Sequence, residues 1–303
     1  TASALFMNNQ VHPVREAIKH AVLILGALIV ILPFYVMVSY SLKSPHEIES
    51  NTGGFFGAQE PMVDEYCVKL GNPRDACVET PVVYNYTQAF KKAPLLRYLL
   101  NGILVTASIF IIQVLVALPC AYALSKLKFW GRDFVFGLVM FCLLIPVHAI
   151  ALPIYIMLAK IGLTNTYASL VIPWTISVFG IFLMRQFFEG VPDDFMEAAR
   201  IDGMNEFVIW WKIAMPLVAP ALSALAIFTF LGNWTAFFWP LIVTTSSELY
   251  TLPVGLSSFA VEAQIEWEMI MTGAALATIP TLVVFLIFQR YIVRGAMLAG
   301  VKG

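Results

Sequence analysis

The sequence predicts an all-α membrane protein with six transmembrane helices, and three observations carry that prediction. The 303 residues are 60% hydrophobic and only 12% charged, whereas soluble domains are about half apolar and about a quarter charged. Mean hydropathy is +0.82. Apolar segments long enough to cross a ~30 Å hydrocarbon core as helix fall near 20–42, 98–124, 134–159, 167–188, 217–243 and 269–292. A net charge of −1 offers no basic face for phosphates, so nucleic acid is not an expected partner. Membrane lipid is.

Arg15, Lys19 and His20 precede the first segment, as in a secretory signal. Its apolar run exceeds the roughly 7–15 residues of a signal core, so a retained helix behind a short tail, 1–19, is expected. Basic residues collect on one side of the bundle: Arg15 and Lys19, then Lys126, Lys128 and Arg132, then Arg185, Arg200 and Lys212, then Arg290, Arg294 and Lys302. The opposite side carries Lys160 and the acids Glu248, Glu262, Glu266 and Glu268. Positive residues stay cytoplasmic, which places both termini in the cytoplasm. Residues 20–303 then form a single transmembrane domain, with no appended soluble one expected.

The 43–97 segment holds Gly53, Gly54, Gly57, Pro61, Pro73 and Pro81 among scattered charges and reads as an irregular external loop. Its Cys67 and Cys77 face the oxidising side, where nearby thiols tend to pair; the alternative is two free cysteines. Cys120 and Cys142 lie within spans and read as small packing residues. Asn85-Tyr86-Thr87 matches a glycosylation sequon and reads as incidental. Pro33, Pro119, Pro146, Pro153, Pro173, Pro240 and Pro280 interrupt the spans and predict kinks.

The fourth span ends at Gly190-Val191-Pro192. Asp193 or Asp194 then offers a helix cap, with Asp194-x-x-Glu197 at capping-box spacing, which predicts a short helix over 194–202. Gly203 supplies a left-handed exit, Asn205 caps a second helix, and Pro216 and Pro220 open the fifth span. Small Ala198 and Ala199 beside Glu197 and Asp202 suit close approach by another chain; a plain capped hairpin fits the local residues equally.

Glu197-Ala198-Ala199, three residues, Gly203, nine residues, then Ile213-Ala214-Met215-Pro216 resembles the motif of integral membrane subunits of binding-protein-dependent ABC importers. Met215 stands where that family usually has Leu, a volume-conserving change. Leu32-Pro33, Ser41-Leu42-Lys43, Ala121-Tyr122-Ala123-Leu124-Ser125, Val191-Pro192, Asn233-Trp234, Trp239-Pro240 and the terminal Gly300-Val301-Lys302-Gly303 look like its carbohydrate branch, similar to the maltose-system permease whose tail enters the ATPase interface. The resemblance implies a type I ABC importer permease fold with cytoplasmic coupling helices in the bacterial inner membrane. It implies ATPase-subunit coupling through Glu197, Ala198, Ala199, Asp202, Gly203 and Met204 within loop 190–216. A tail, 293–303, would meet the same subunits through Gly300, Val301 and Lys302. Two ATPase subunits, a second permease forming a heterodimer and an external solute-binding protein are the implied partners. Against that family the 43–97 loop is an insertion of unassigned role.

The chain contains no G-x-x-x-x-G-K-[ST] phosphate loop, so ATP and magnesium are expected on partner subunits and no cofactor, metal or catalytic residue on this one. An ion-coupled carrier would place acids or lysines within spans; here His148 is the titratable residue at depth, apart from tyrosines and cysteines, and reads as packing. A membrane enzyme would need a constellation that Glu262, Glu266 and Glu268 do not make. Gln113, Thr229, Asn233 and Trp234 are the candidate substrate path, each equally a bond between helices. The lack of Lys or Arg at depth favours a sugar or polyol, with glycerol-3-phosphate as the alternative.

Overall fold

The computed structural model describes residues 13–51, 54–260 and 265–300, with 13–15, 65–66 and 290–300 described as backbone only. Two compact units emerge: Thr1–Ala89 with Ile265–Ala275, and Phe90–Gln264 with Leu276–Gly303.

The first unit begins with α1 (Pro13–Ser41), which exposes large aliphatics on every face, as a helix solvated by lipid does. The 43–97 segment is more ordered than its Gly and Pro content suggests. It folds into α2 (Pro45–Glu49), β1 (Met62–Val63), α3 (Glu65–Lys69), β2 (Val78–Glu79) and α4 (Pro81–Lys92), with β1 and β2 antiparallel. Ser44 and Glu47 make a reciprocal capping box on α2. Asn85 donates its amide to the carbonyls of Ser41 (3.1 Å) and Lys43 (2.9 Å), satisfying acceptors that the end of α1 leaves free. Cys67 and Cys77 are disulfide-bonded. These ties are polar and covalent, so hydrophobic periodicity carries no trace of them.

The second unit is organised around α5 (Leu95–Lys126). It is followed by α6 (Arg132–Leu143) and α7 (Val147–Lys160), α8 (Tyr167–Val171), α9 (Val178–Glu189), α10 (Asp194–Ile201), α11 (Glu206–Ile209), α12 (Met215–Leu217), α13 (Ala219–Trp234), α14 (Phe238–Val243) and α15 (Leu252–Ser257). The final helix, α16, runs Trp267–Gly300. Among the described residues, four stretches, Glu16–Ser41, Leu95–Lys126, Tyr167–Glu189 and Trp267–Gln289, are long and apolar enough to cross a membrane, and the count reaches six when each of two sharply bent helix pairs is taken as one span.

Those bends correct the sequence reading. The expected continuous span 134–159 is two helices, α6 and α7, turned by 99°. Pro146 has no N–H to continue the ladder and disfavours helical geometry at Ile145; the amides of Leu144 and Ile145 close tight turns onto Phe141 and Cys142 instead. The expected span 217–243 ends at Trp234, and the pair formed by Glu206–Leu217 and Ala219–Trp234 bends by 80°. Asn233 and Thr235 side chains donate back to the carbonyls of Thr229 and Leu231, and a helix continued through Pro240 would clash with the carbonyl of Ala236.

The main core packs Leu118, Ala121 and Tyr122 of α5 against Met184 and Phe188 of α9, Met196 and Ala199 of α10, and Leu225 of α13. The short helices between spans therefore share a core with the spans.

Candidate functional site

The loop between α9 and α13 is built as a rigid double helix-turn. α10 closes with a Schellman turn: Gly203 donates to the carbonyl of Arg200 and Met204 to that of Ala199, both at 3.0 Å. The turn requires Gly203 at φ +79°, a left-handed geometry that β-carbons disfavour. Asn205 then caps α11, its side chain accepting from Val208 N–H at 2.9 Å. The chain continues into a π-helical turn over Trp210–Ala214.

The expected capping box does not form. Asp193 sits at the cap position without capping; its carboxylate accepts from Lys126 Nζ at 2.5 Å. Asp194 is the first residue inside the helix. The Lys126 hydrogen bond holds the Asp193 carboxyl below the usual carboxylate range.

Lys126 Nζ also donates to the Val191 carbonyl at 2.5 Å, and its side chain is only 4% exposed. One turn earlier on α5, the Tyr122 hydroxyl donates to Glu206 at 2.9 Å, and Arg200 Nε donates to the other Glu206 oxygen at 2.6 Å. Sequence reading named Lys126 and Tyr122 but not these ties, because the Lys126–Val191 and Tyr122–Glu206 partners lie 65 and 84 positions apart.

The loop has two faces. Met196 and Ala199 turn inward, Ala199 only 3% exposed, so Ala199 packs in the chain's own core rather than presenting its methyl outward as expected. Glu197, Ala198, Asp202, Gly203 and Met204 stay exposed, and around them stand Phe195, Ile201 (86% exposed) and Phe207 (70% exposed). Together they form an exposed apolar cluster rimmed by charged side chains, the pattern that marks interaction surfaces. A groove of about 470 Å³ runs beside it, between Lys128 and Phe129 on one wall and Glu197 and Arg200 on the other.

A second concavity, about 560 Å³, opens among α5, α6, α7, α9 and the α13–α14 break. Gln113 and Asn233 line it; Thr229 and Trp234 do not. Gln113 bridges two elements, donating to the Trp174 carbonyl (2.8 Å) and accepting from the Thr229 hydroxyl (2.7 Å). Trp234 is buried and donates Nε1 to the Ala277 carbonyl at 3.0 Å. His148, Trp174, Ser177 and Phe238 complete the wall, with the His148 ring 4.9 Å from that of Phe238. Among the described residues, no Asp, Glu, Lys or Arg lines the cavity. The helix breaks at Pro146 and before Pro240 expose these side chains; the prolines and the run Phe237-Phe238-Trp239 were the available signal.

Gly300 ends α16, while Val301 and Lys302 lie outside the described residues. Glu262 does too.

Residues 113–297 match the family described as binding-protein-dependent transport system inner membrane component. The chain is 36% identical over 203 residues to the arabinooligosaccharides transport system permease protein AraQ of Halalkalibacterium halodurans, covering 67% of this chain and 73% of that protein. It is 31% identical over 286 residues to the sn-glycerol-3-phosphate transport system permease protein UgpE of Brucella abortus, covering 93% and 96%. The diacetylchitobiose uptake system permease protein NgcG of Streptomyces coelicolor is 29% identical over 280 residues, covering 91% of this chain and 85% of that protein. Among solved structures, a chain of a bacterial ABC transporter involved in import of the acidic polysaccharide alginate superposes with a TM-score of 0.75 at 22% identity, covering 92% of this chain and 96% of that one; that likeness concerns the fold.

Proposed function

The chain belongs to the binding-protein-dependent transport system inner membrane component family, is a multi-pass permease with the type I ABC importer fold, and on that premise we propose that it forms half of a translocation path for a sugar, polyol or sugar derivative. ATPase subunits dock on the outward face of α10 and α11, where Glu197, Ala198, Asp202, Gly203 and Met204 lie beside exposed Phe195, Ile201 and Phe207. That exposed face, held by the Gly203 turn, is the observation that carries the reading. Partner subunits bind ATP and magnesium. A second permease closes the cavity from the other side, an external solute-binding protein delivers the solute, and both termini are cytoplasmic with the tail at 300–302 near the ATPases.

The solute class rests on relatives named for arabinooligosaccharide and diacetylchitobiose uptake and on the cavity wall. Amide, hydroxyl and imidazole groups among aromatic rings, without a charge, suit hydroxyl-rich neutral molecules. The relative named for sn-glycerol-3-phosphate transport keeps a phosphorylated solute as the second reading; its counter-charge would then come from the partner permease. Copurification with associated subunits, then ATP hydrolysis in proteoliposomes with the solute-binding protein and a panel of these solutes, tests both. Stimulation by a neutral oligosaccharide supports the first reading and stimulation by glycerol-3-phosphate alone the second. An ATP-independent carrier purifying alone contradicts both.

A further inference from the structure

The two polar ties beneath the coupling loop sit on one helix. Lys126, the last residue of α5, holds the loop where it begins, through the Val191 carbonyl and the Asp193 carboxylate. Tyr122, one turn back on the same face, holds it where α11 begins, through Glu206, and Glu206 in turn holds Arg200 of α10. Both anchors are buried at their base: the Lys126 side chain is 4% exposed and Tyr122 is 3% exposed, its ring edge-on to Phe188 at 5.7 Å. The start of the loop and its middle, where α11 begins, are thus pinned to a single helix of 32 residues that carries Pro119 in its interior, about 48 Å long at helical rise.

Nine positions back along that rod, about 14 Å away, Gln113 bridges the Trp174 carbonyl and the Thr229 hydroxyl at the cavity wall. One continuous helix, with Pro119 between the two contacts, therefore touches the loop at one end and the cavity in its middle. A packed helix transmits displacement without needing a chain of small rearrangements, and paired charge-assisted hydrogen bonds hold geometry better than an exposed ion pair does.

We propose that Lys126 and Tyr122 are positioning residues that clamp the α10–α11 loop to α5, so that loop and helix move as one body and motion at the docking face reaches the cavity wall through Gln113. The proposal rests on the importer reading above. It assigns these residues no contact with solute, nucleotide or partner subunit.

The test uses the full complex in proteoliposomes with its solute-binding protein, and arabino-oligosaccharide, diacetylchitobiose and glycerol-3-phosphate as probes. The readout is ATP hydrolysed per molecule imported, a ratio that a merely less stable or less abundant complex leaves unchanged. Tyr122→Phe removes one hydroxyl and Lys126→Gln one charge. Each is expected to raise the ratio by about 2- to 30-fold, with Lys126→Arg restoring much of the loss. Tyr122→Phe is expected to raise the ratio by less in a Glu206→Gln background than in wild type, because the Tyr122–Glu206 tie is already weakened there. A ratio equal to wild type in both Tyr122→Phe and Lys126→Gln, with stimulation by the binding protein intact, overturns the clamp alone. Absence of that stimulation in wild type overturns the importer reading and the clamp with it. Should Lys126→Gln fail to fold, Tyr122→Phe decides the matter.

Discussion

Trp234 closes on Gly102 so tightly that a β-carbon at Gly102 would stand 2.9 Å from the indole Cζ3. The contact fixes α13 against α5, and the indole N–H is held from the far side by Ala277. Gly102→Ala is expected to destabilise the protein by about 1–3 kcal/mol through overpacking. Thermal unfolding of the purified complex measures it. Because the two residues touch, Gly102→Ala with Trp234→Phe should cost less than the sum of the single changes.

The adjacent alanines of the α10–α11 loop should behave differently. Ala199 is packed among core side chains while Ala198 is exposed. Ala199→Leu should lower stability by about 1–3 kcal/mol, whereas Ala198→Leu should change it by less than about 0.5 kcal/mol and weaken retention of ATPase subunits. Unfolding temperature and subunit copurification, read together, separate the two effects.

Asp193 is held below its ordinary pKa by Lys126. A depressed carboxylate contributes stability above its unfolded value, about 3.9, and loses it as pH falls through the lower folded value. Wild type should therefore lose this contribution only below about pH 4. Asp193→Asn should be less stable at neutral pH and converge on wild type in acid. The side chain is 70% exposed, so solvent screening keeps the effect modest. Unfolding midpoints from pH 3 to pH 7 test the sign.

The disulfide joins residues ten apart, a loop whose closure stabilises by about 3 kcal/mol in the chain-entropy account. Cys67→Ser with Cys77→Ser should loosen β1, α3 and β2 and raise proteolysis there. Exchange of amides in α5 and α13 should not change.

Much of this was legible in sequence. Span positions followed from runs of apolar residues, and Gly203 and Asn205 were readable because turn and cap chemistry is local. Asp193 was not, since a lysine 67 positions away outcompeted the local cap. The prolines marked kinks, but a proline in an apolar run says nothing of a bend's size; 99° between α6 and α7 emerges only with the fold. Gln113, Asn233, Thr229 and Trp234 look identical as polar residues at depth, and all four are hydrogen-bonded internally; only the fold shows that the first two line the cavity. His148 needed the fold, because its place in the cavity depends on α7 turning away from α6.

The most direct test of the account is ATP hydrolysis by proteoliposomes of the full complex, with and without the solute-binding protein, for wild type, Glu197→Ala and Gly203→Val. Gly203→Val forces a branched residue to φ +79°, where strain is of order 1–3 kcal/mol, and so misplaces the docking face. The account predicts strong stimulation in wild type and its loss in both variants. Stimulation that persists unchanged in both would contradict it.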